Sequence, residues 1–451
     1  MRCSTIFIPL LASSAFLGQA TAASAQALNA EEAAALRAQV EALRGQVNQL
    51  SARLDALSVP PPVATPAPAP ASPSPSAPNN VAWRGAPEMQ GADGWSFKPR
   101  GRMQIDLGGV NVPAAADNAG LGFASEVRRV QLGADGTMPG GFSYRVEADF
   151  ADNDVAVLDA YLRYRRGNMQ VTAGHQKYFA GLDEMTGDIF TSFTERAAFT
   201  QAFGFERRLG LAAEYARGPI LVQAGLFSDD ISALTNAANN GWSVDGRIVY
   251  APQIGDTQLH FGLSAHARDF NDGSALARYR ARPFTHVTDV RLVDTGNFTA
   301  NGERNWGAEF ALVHGRFHFA AEGAWMRARR PLTADPVFGG YYIEAGLFLT
   351  DDKRNYRRGA FDRVTPSAGV GNGGMGAVEL NLRYDMLDLN DAGIIGGRQQ
   401  SYGAAVTWVL TPYIRLLASY ARLSIDDSRL PAGLDRDYGA DAAALRAQFD
   451  F

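Results

Sequence analysis

The sequence predicts an all-β protein. It reads as a 16-stranded antiparallel transmembrane β-barrel (18 is the alternative count) preceded by a short N-terminal helical coiled coil. Three observations predict this. Segments of eight or nine residues alternate strictly between apolar and polar side chains. The connections between them alternate between very short and very long. The chain then ends on one more alternating run that closes with Phe451. Such alternation builds a strand with one apolar and one wet face.

The first 25 residues read as a secretory signal peptide. Arg2 precedes an apolar stretch from Ile6 to Leu17, and Ala23-Ser24-Ala25 is a small-residue cleavage site. The only cysteine, Cys3, falls inside this piece, so thiol catalysis and iron–sulfur chemistry are excluded from the mature chain. Residues 26–58 follow as the helical coil. Leu36, Val40, Leu43, Val47, Leu50, Leu54 and Leu57 are spaced alternately four and three apart, a 3.5-residue repeat. Such a narrow seam is marginal alone and is expected to pair with copies of itself; the alternative is an amphipathic helix lying on its own protein. Val at a and Leu at d lean towards dimers. Residues 59–94 form a linker, with nine prolines between Val59 and Pro78 acting as a semi-rigid spacer.

Residues 95–451 are expected to be the barrel. Val378, Leu380, Leu382, Tyr384 and Met386 alternate with Glu379, Asn381, Arg383 and Asp385. Phe142 to Phe150, Leu158 to Arg165, Tyr402 to Leu410 and Ile414 to Tyr420 read the same way. These runs are longer than the five or six residues usual in a soluble sandwich or propeller. Both signs of charge stand on the wet faces. Gly167-Asn168, His314-Gly315-Arg316 and Thr411-Pro412 are tight turns, whereas Arg268 to Asn297 and Lys353 to Gly376 are long loops. Short periplasmic turns and long external loops give this asymmetry, and Trp306, Trp325, Trp408, Tyr413 and Tyr420 suit interfacial girdles. At roughly 22 residues per strand and connection the segment holds about 16 strands, enough to enclose an aqueous channel.

Composition narrows the function. The 42 basic and 47 acidic residues leave a net charge of −5, unlike the basic footprint of a nucleic-acid binder. No internal run is long and apolar enough for a membrane helix. The six histidines show no metal-ligand spacing, and no Gly-x-Ser-x-Gly elbow is present. No catalytic residue, cofactor or metal is therefore expected, and the protein is not read as an enzyme. Only Lys98, Lys177 and Lys353 are lysines, so 39 of the basic residues are arginine.

Several segments, in order, resemble the phosphate-selective porin O and P family. They include Phe97-Lys98-Pro99-Arg100-Gly101-Arg102-Met103-Gln104, Glu126-Val127-Arg128-Arg129, Phe193-Thr194-Glu195-Arg196, Arg278-Tyr279-Arg280-Ala281-Arg282-Pro283 and Arg383-Tyr384-Asp385-Met386. The final strand ending in Phe451 also looks like the C-terminal signature of bacterial outer-membrane barrels. The resemblance implies a homotrimeric porin in the outer membrane of a Gram-negative bacterium, in contact with membrane lipid and lipopolysaccharide. It implies a third loop folded inward, here about Phe179 to Glu206, after a strand from Met169 to Gly174. The implied trimer overrides the dimer lean of the coil, which would lie in the periplasm.

The resemblance places a basic cluster at the constriction, matched here by Arg128, Arg129 and Lys177. Arg128 and Arg129 are adjacent, so in a regular strand they face opposite ways. Either a bulge or a loop contact turns one inward, or Arg129 alone lines the lumen. Arg278, Arg280 and Arg282 share one face of an extended segment by their spacing of two. Guanidinium groups so placed can pass oxyanions along by forked hydrogen bonds. The alternative is an arginine-rich outer loop that holds lipopolysaccharide or neighbouring acids. The expected function is passive diffusion of small anions, phosphate or polyphosphate among them, through an arginine-lined channel. The runner-up is a general porin whose residues 26–58 also tether the outer membrane to the cell wall. The shortage of lysine, and lumen-facing Glu147, Asp149 and Asp159, argue for a modest anion preference over strict phosphate selectivity.

Overall fold

The computed structural model describes residues 80–451 apart from 117–119, 152–153, 233 and 235–239; upstream it describes residues 41, 44–46 and 48–49 alone. The signal peptide, residues 59–79 of the linker and the apolar seam of the coil lie outside the described residues; residues 80–94 of the linker are described and hold two short strands, Asn80–Trp83 and Pro87–Gln90. The six upstream residues are helical and exposed, with Arg44 paired to Glu41 at 3.1 Å.

Sixteen long antiparallel strands form the wall. They are β1 (Ser96–Asn111), β2 (Ala124–Met138), β3 (Phe142–Asp149), β4 (Ala156–Arg166), β5 (Met169–Lys177), β6 (Arg207–Arg217), β7 (Ile220–Phe227) and β8 (Trp242–Tyr250). Then come β9 (Thr257–Asp269), β10 (Gly302–His314), β11 (Phe317–Arg329), β12 (Val337–Phe348), β13 (Ala377–Asp391), β14 (Ile394–Thr411), β15 (Ile414–Asp426) and β16 (Tyr438–Asp450). Each pairs with the next. β16 pairs back onto β1 from Asp441 opposite Asn111 to Asp450 opposite Arg102. That ladder closes the sheet and removes its open edges.

Alternation decides which face is which. On β16, Ala443, Leu445, Ala447 and Phe449 point outward and are exposed, while Arg446, Gln448 and Asp450 point inward and are buried. β13 repeats the pattern, with Glu379, Asn381, Arg383 and Asp385 inside. The wet face is buried because loops fill part of the lumen. Gly101 lies outward on β1, where a Cβ would stand 2.2 Å from the ring of Phe451, so the terminal aromatic seats flat on the wall only because this residue is glycine.

One expectation about loops is corrected. The segment 270–301 lies at the long-loop end, but 349–376 lies at the opposite end with the tight turns. Three strands (β10, β11 and β12) separate the two segments. An odd number of antiparallel crossings puts them on opposite sides. Both segments fold inward. Tyr413, expected in a girdle, lies under Arg363, whose guanidinium is 5.4 Å from its ring. Trp306, Trp325, Trp408 and Tyr420 do face outward.

Candidate functional site

The loop 178–206 between β5 and β6 folds into the barrel. Two short helices, α1 (Leu182–Met185) and α2 (Ala198–Phe203), give it shape. Inward side chains of the second half of the barrel fasten it. Asp183 N donates to Glu322 Oε2 at 2.8 Å, and Ala198 N donates to Asp385 Oδ2 at 2.8 Å. Arg383 Nη1 donates to Glu195 O at 3.0 Å, and Arg415 Nη2 to Thr191 O at 2.9 Å. Phe193, Phe199 and Phe203 pack with Tyr279, Phe284 and Tyr342 into an apolar mass. Part of the lumen is thereby filled, and two cavities remain against the inner wall of β1–β7.

Gly181 sets how closely the loop approaches β11. A Cβ there would sit 1.6 Å from Glu322 Oε1. We therefore expect Gly181→Ala to displace the loop and to broaden single-channel recordings into several conductance levels. Truncating Glu322 as well should narrow them again, and unchanged recordings from Gly181→Ala would contradict this seating.

Two cavities mark the path. One of about 650 Å³ opens towards the long-loop end, and one of about 470 Å³ lies towards the tight-turn end. Both are lined by Lys177, Asp188 and Arg207, so they meet there. Asp188, at the tip of the inward loop, pairs with Arg102 at 2.6 Å and with Arg129. Burial pushes its carboxyl up, but Arg102 and Arg129 outweigh this and hold it well below the usual carboxylate range. Arg207 pairs with Asp159 at 2.7 Å. Glu184 takes Lys177, whose Nζ also donates to Glu184 O at 3.0 Å, and pairs with Arg196 at 3.3 Å.

The inner chamber carries the cation excess. Eight cationic and five acidic side chains line it, with Arg100, Arg145, Arg163 and Arg357 among the former. Arg145 and Arg163 lie 5.9 and 4.9 Å from the Tyr161 ring. The segment 349–376 floors this chamber. Its two-stranded hairpin, Asn355–Arg357 with Ala360–Asp362, is tied by Tyr356 to His260 at 2.6 Å and by Arg247 Nη2 donating to Gly359 O at 2.7 Å. Glu147 and Asp159 do face the lumen, where they partner Arg100 at 3.8 Å and Arg145 at 3.6 Å.

The six residues singled out by sequence do not form one line. Gln104 faces Arg129 and Ile105 faces Val127, so Arg128 is the extra residue of a β-bulge. The bulge lets both arginines turn inward. Arg129 reaches Asp188. Arg128 has a buried Nε without a hydrogen-bond partner among the described residues. Lys177 is at the junction but is taken up by Glu184. Arg278, Arg280 and Arg282 do share a face, with Tyr279 and Ala281 buried on the other. They lie on the inward-folded segment 270–301 at the long-loop end. Arg278 Nε donates to both carboxylate oxygens of Asp294, at 2.8 and 3.1 Å. Arg282 Nη1 donates to His286 O at 2.8 Å, and His286 Nδ1 is 2.9 Å from the Glu126 carboxylate. Burial and Arg128 push the His286 imidazole down to about 3.

Sequence reasoning missed Arg100, Arg102, Arg145, Arg163 and Arg207 as a set. For four of them the signal was present, since Arg100, Arg102, Arg145 and Arg163 stand on the wet face of an alternating strand; Arg207 falls in register with the outward Leu209 and Leu211 and turns inward only at the start of its strand.

A closed 16-stranded barrel with an inward-folded third loop and a charged path along one wall is that of an outer-membrane porin. The comparisons agree. The Phosphate-selective porin O and P family matches residues 97–451, and the chain belongs to that family. It is 44% identical over 385 residues to an uncharacterized protein of Caulobacter vibrioides, covering 83% of this chain and 78% of that one. Among solved structures it resembles OmpT, an outer membrane protein of Vibrio cholerae, with TM-score 0.53 and 11% identity, covering 80% of this chain and 99% of that one. An anion-selective porin from Comamonas acidovorans follows with TM-score 0.50 and 12% identity, covering 79% and 100%. With the barrel in the outer membrane, the tight-turn end is periplasmic.

Proposed function

We propose that this porin passes small anions by diffusion, as a homotrimer, with a modest preference over cations and no strict selectivity for phosphate. The observation that carries this reading is the cation excess of the inner chamber, eight against five. Arg163 there is half-buried and has no carboxylate partner among the described residues; its guanidinium donates to Tyr161 Oη at 3.1 Å and leaves its charge for a passing anion. The outer chamber is different: it has four cationic and five acidic side chains, most of them paired. Anions are therefore drawn through rather than held. A tight phosphate site needs several unpaired cations around one point, and here Lys177, Arg102 and Arg129 already hold carboxylates. The relative from Comamonas, described as anion-selective, supports the same reading.

The test is the reversal potential of single channels across a planar bilayer in a potassium chloride gradient. The expected sign is that of a chloride preference, and millimolar phosphate should leave the chloride current largely unblocked. A cation preference would overturn the reading; a zero potential would favour a general pore. Replacing Arg278, Arg280 and Arg282 together with Ala should change selectivity less than replacing Arg100 and Arg102. The reverse order would move the main filter to the outer loop.

A further inference from the structure

Residues 80–90 form a hairpin that is not part of the closed wall. Asn80–Trp83 pairs with Pro87–Gln90, and Met89 and Gln90 pair with Phe97 and Ser96 of β1. Below Arg102, where β16 has ended, the second hairpin strand takes its place on the edge of β1. The tip fits closely, since a Cβ on Gly85 would meet the ring of Tyr413 at 2.5 Å. Lys98 Nζ donates to Arg84 O at 3.0 Å on the inner face.

The outer face is apolar and uncovered. Directly paired residues share a face, so Val81, Met89 and Phe97 line up, with Trp83 two residues beyond Val81. Trp83 is 75% exposed and Val81 52%, against 43% for Trp306 on the wall. The far edge of Asn80–Trp83 also has no ladder partner among the described residues. An open edge cannot sit in hydrocarbon, where its N–H and C=O groups would go unsatisfied. Water satisfies the edge but not the stripe; another polypeptide satisfies both.

We infer that this hairpin face is a contact with a second copy of the chain. The inference rests on the proposed homotrimer. The sequence reads residues 26–58 as a coil that pairs with copies of itself, and pairing of coils linked to the barrel by the same chain would concentrate the hairpins of neighbouring copies.

The test uses the full chain in outer membranes. Trp83→p-benzoylphenylalanine is irradiated, with Leu263→p-benzoylphenylalanine on the outward face of β9 as control. The expected result is a covalent dimer from position 83 and none from 263. The Val81→Ser, Trp83→Ser, Met89→Ser variant should lose several degrees from the melting point of its SDS-resistant oligomer, with single-channel conductance unchanged. If the unmodified protein is oligomeric but position 83 links only to lipid or to nothing, the hairpin contact is wrong and the trimer stands. If the unmodified protein is a monomer in mild detergent, the trimer reading itself has failed.

Discussion

Asp188→Asn should raise the anion preference of the channel more than any other single substitution. Its carboxylate stands where the two chambers meet and holds Arg102 at 2.6 Å together with Arg129. Removing it frees two guanidinium groups and deletes one negative charge from the lumen. A unit charge about 8 Å from a passing ion, at an effective dielectric of about 40, is worth about 1 kcal/mol. That corresponds to about a fivefold change in the permeability ratio. The reversal potential reads it directly, and an unchanged value would mean that ions do not pass Asp188.

Acid should not mimic this substitution until the solution is well below the ordinary carboxylate range. A carboxyl whose folded pKa is depressed contributes its pairing above the unfolded value of about 3.9 and loses it as pH falls through the folded one. Glu206, raised by burial, behaves oppositely and takes up its proton first. Acidification from neutral should therefore increase the anion preference in two steps, an early one from Glu206 and a late one from Asp188. The late step should be missing in Asp188→Asn.

The second large effect is expected from the periplasmic insert. Removing residues 355–362 takes Arg357, Tyr356 and Phe361 out of the lumen and opens the floor of the inner chamber. Single-channel conductance should rise several-fold, and the anion preference should fall with the loss of Arg357. His260, Glu214 and Arg247 would lose partners that they now hold on this hairpin. Each buried polar group left without a partner costs about 1–3 kcal/mol, reduced here because water can enter. The barrel should accordingly melt at a lower temperature yet remain folded. Equal conductance with and without the hairpin would place it off the ion path.

Much of this was legible in the sequence, because a barrel wall is written in period two. The runs at Phe142, Val378 and Ala443 assign inside and outside residue by residue, and the structure follows them. The inward third loop was reached through the resemblance. What sequence could not place was the far end of each contact. Nothing near Asp188 in the chain announces Arg102, which is 86 positions away. Nor do Arg128 and Arg129 reveal which of them is bulged, because the extra residue is defined only against Gln104 and Ile105 on the partner strand. The insert at 349–376 was assigned to the wrong end because loop length was read without counting strand parity. The arginine ladder at 278–282 was sound as local geometry, but Asp294, 16 residues on, takes up Arg278, and a turn that brings the His286 carbonyl back takes up Arg282.

The anchoring of the inward loop has a consequence for how the chain is assembled. Its partners lie 139 residues away at Glu322, 225 at Ser419 and 259 at Gln448. Contacts of such sequence separation carry the greatest loop-closure cost and form late. The full seating of the inward loop therefore belongs to the last stage of folding, after the C-terminal strands have joined the sheet. A chain that stalls before β15 and β16 are in place would still lack the seats at Arg415, Ser419 and Gln448, so the loop is fully fastened only when the wall is complete.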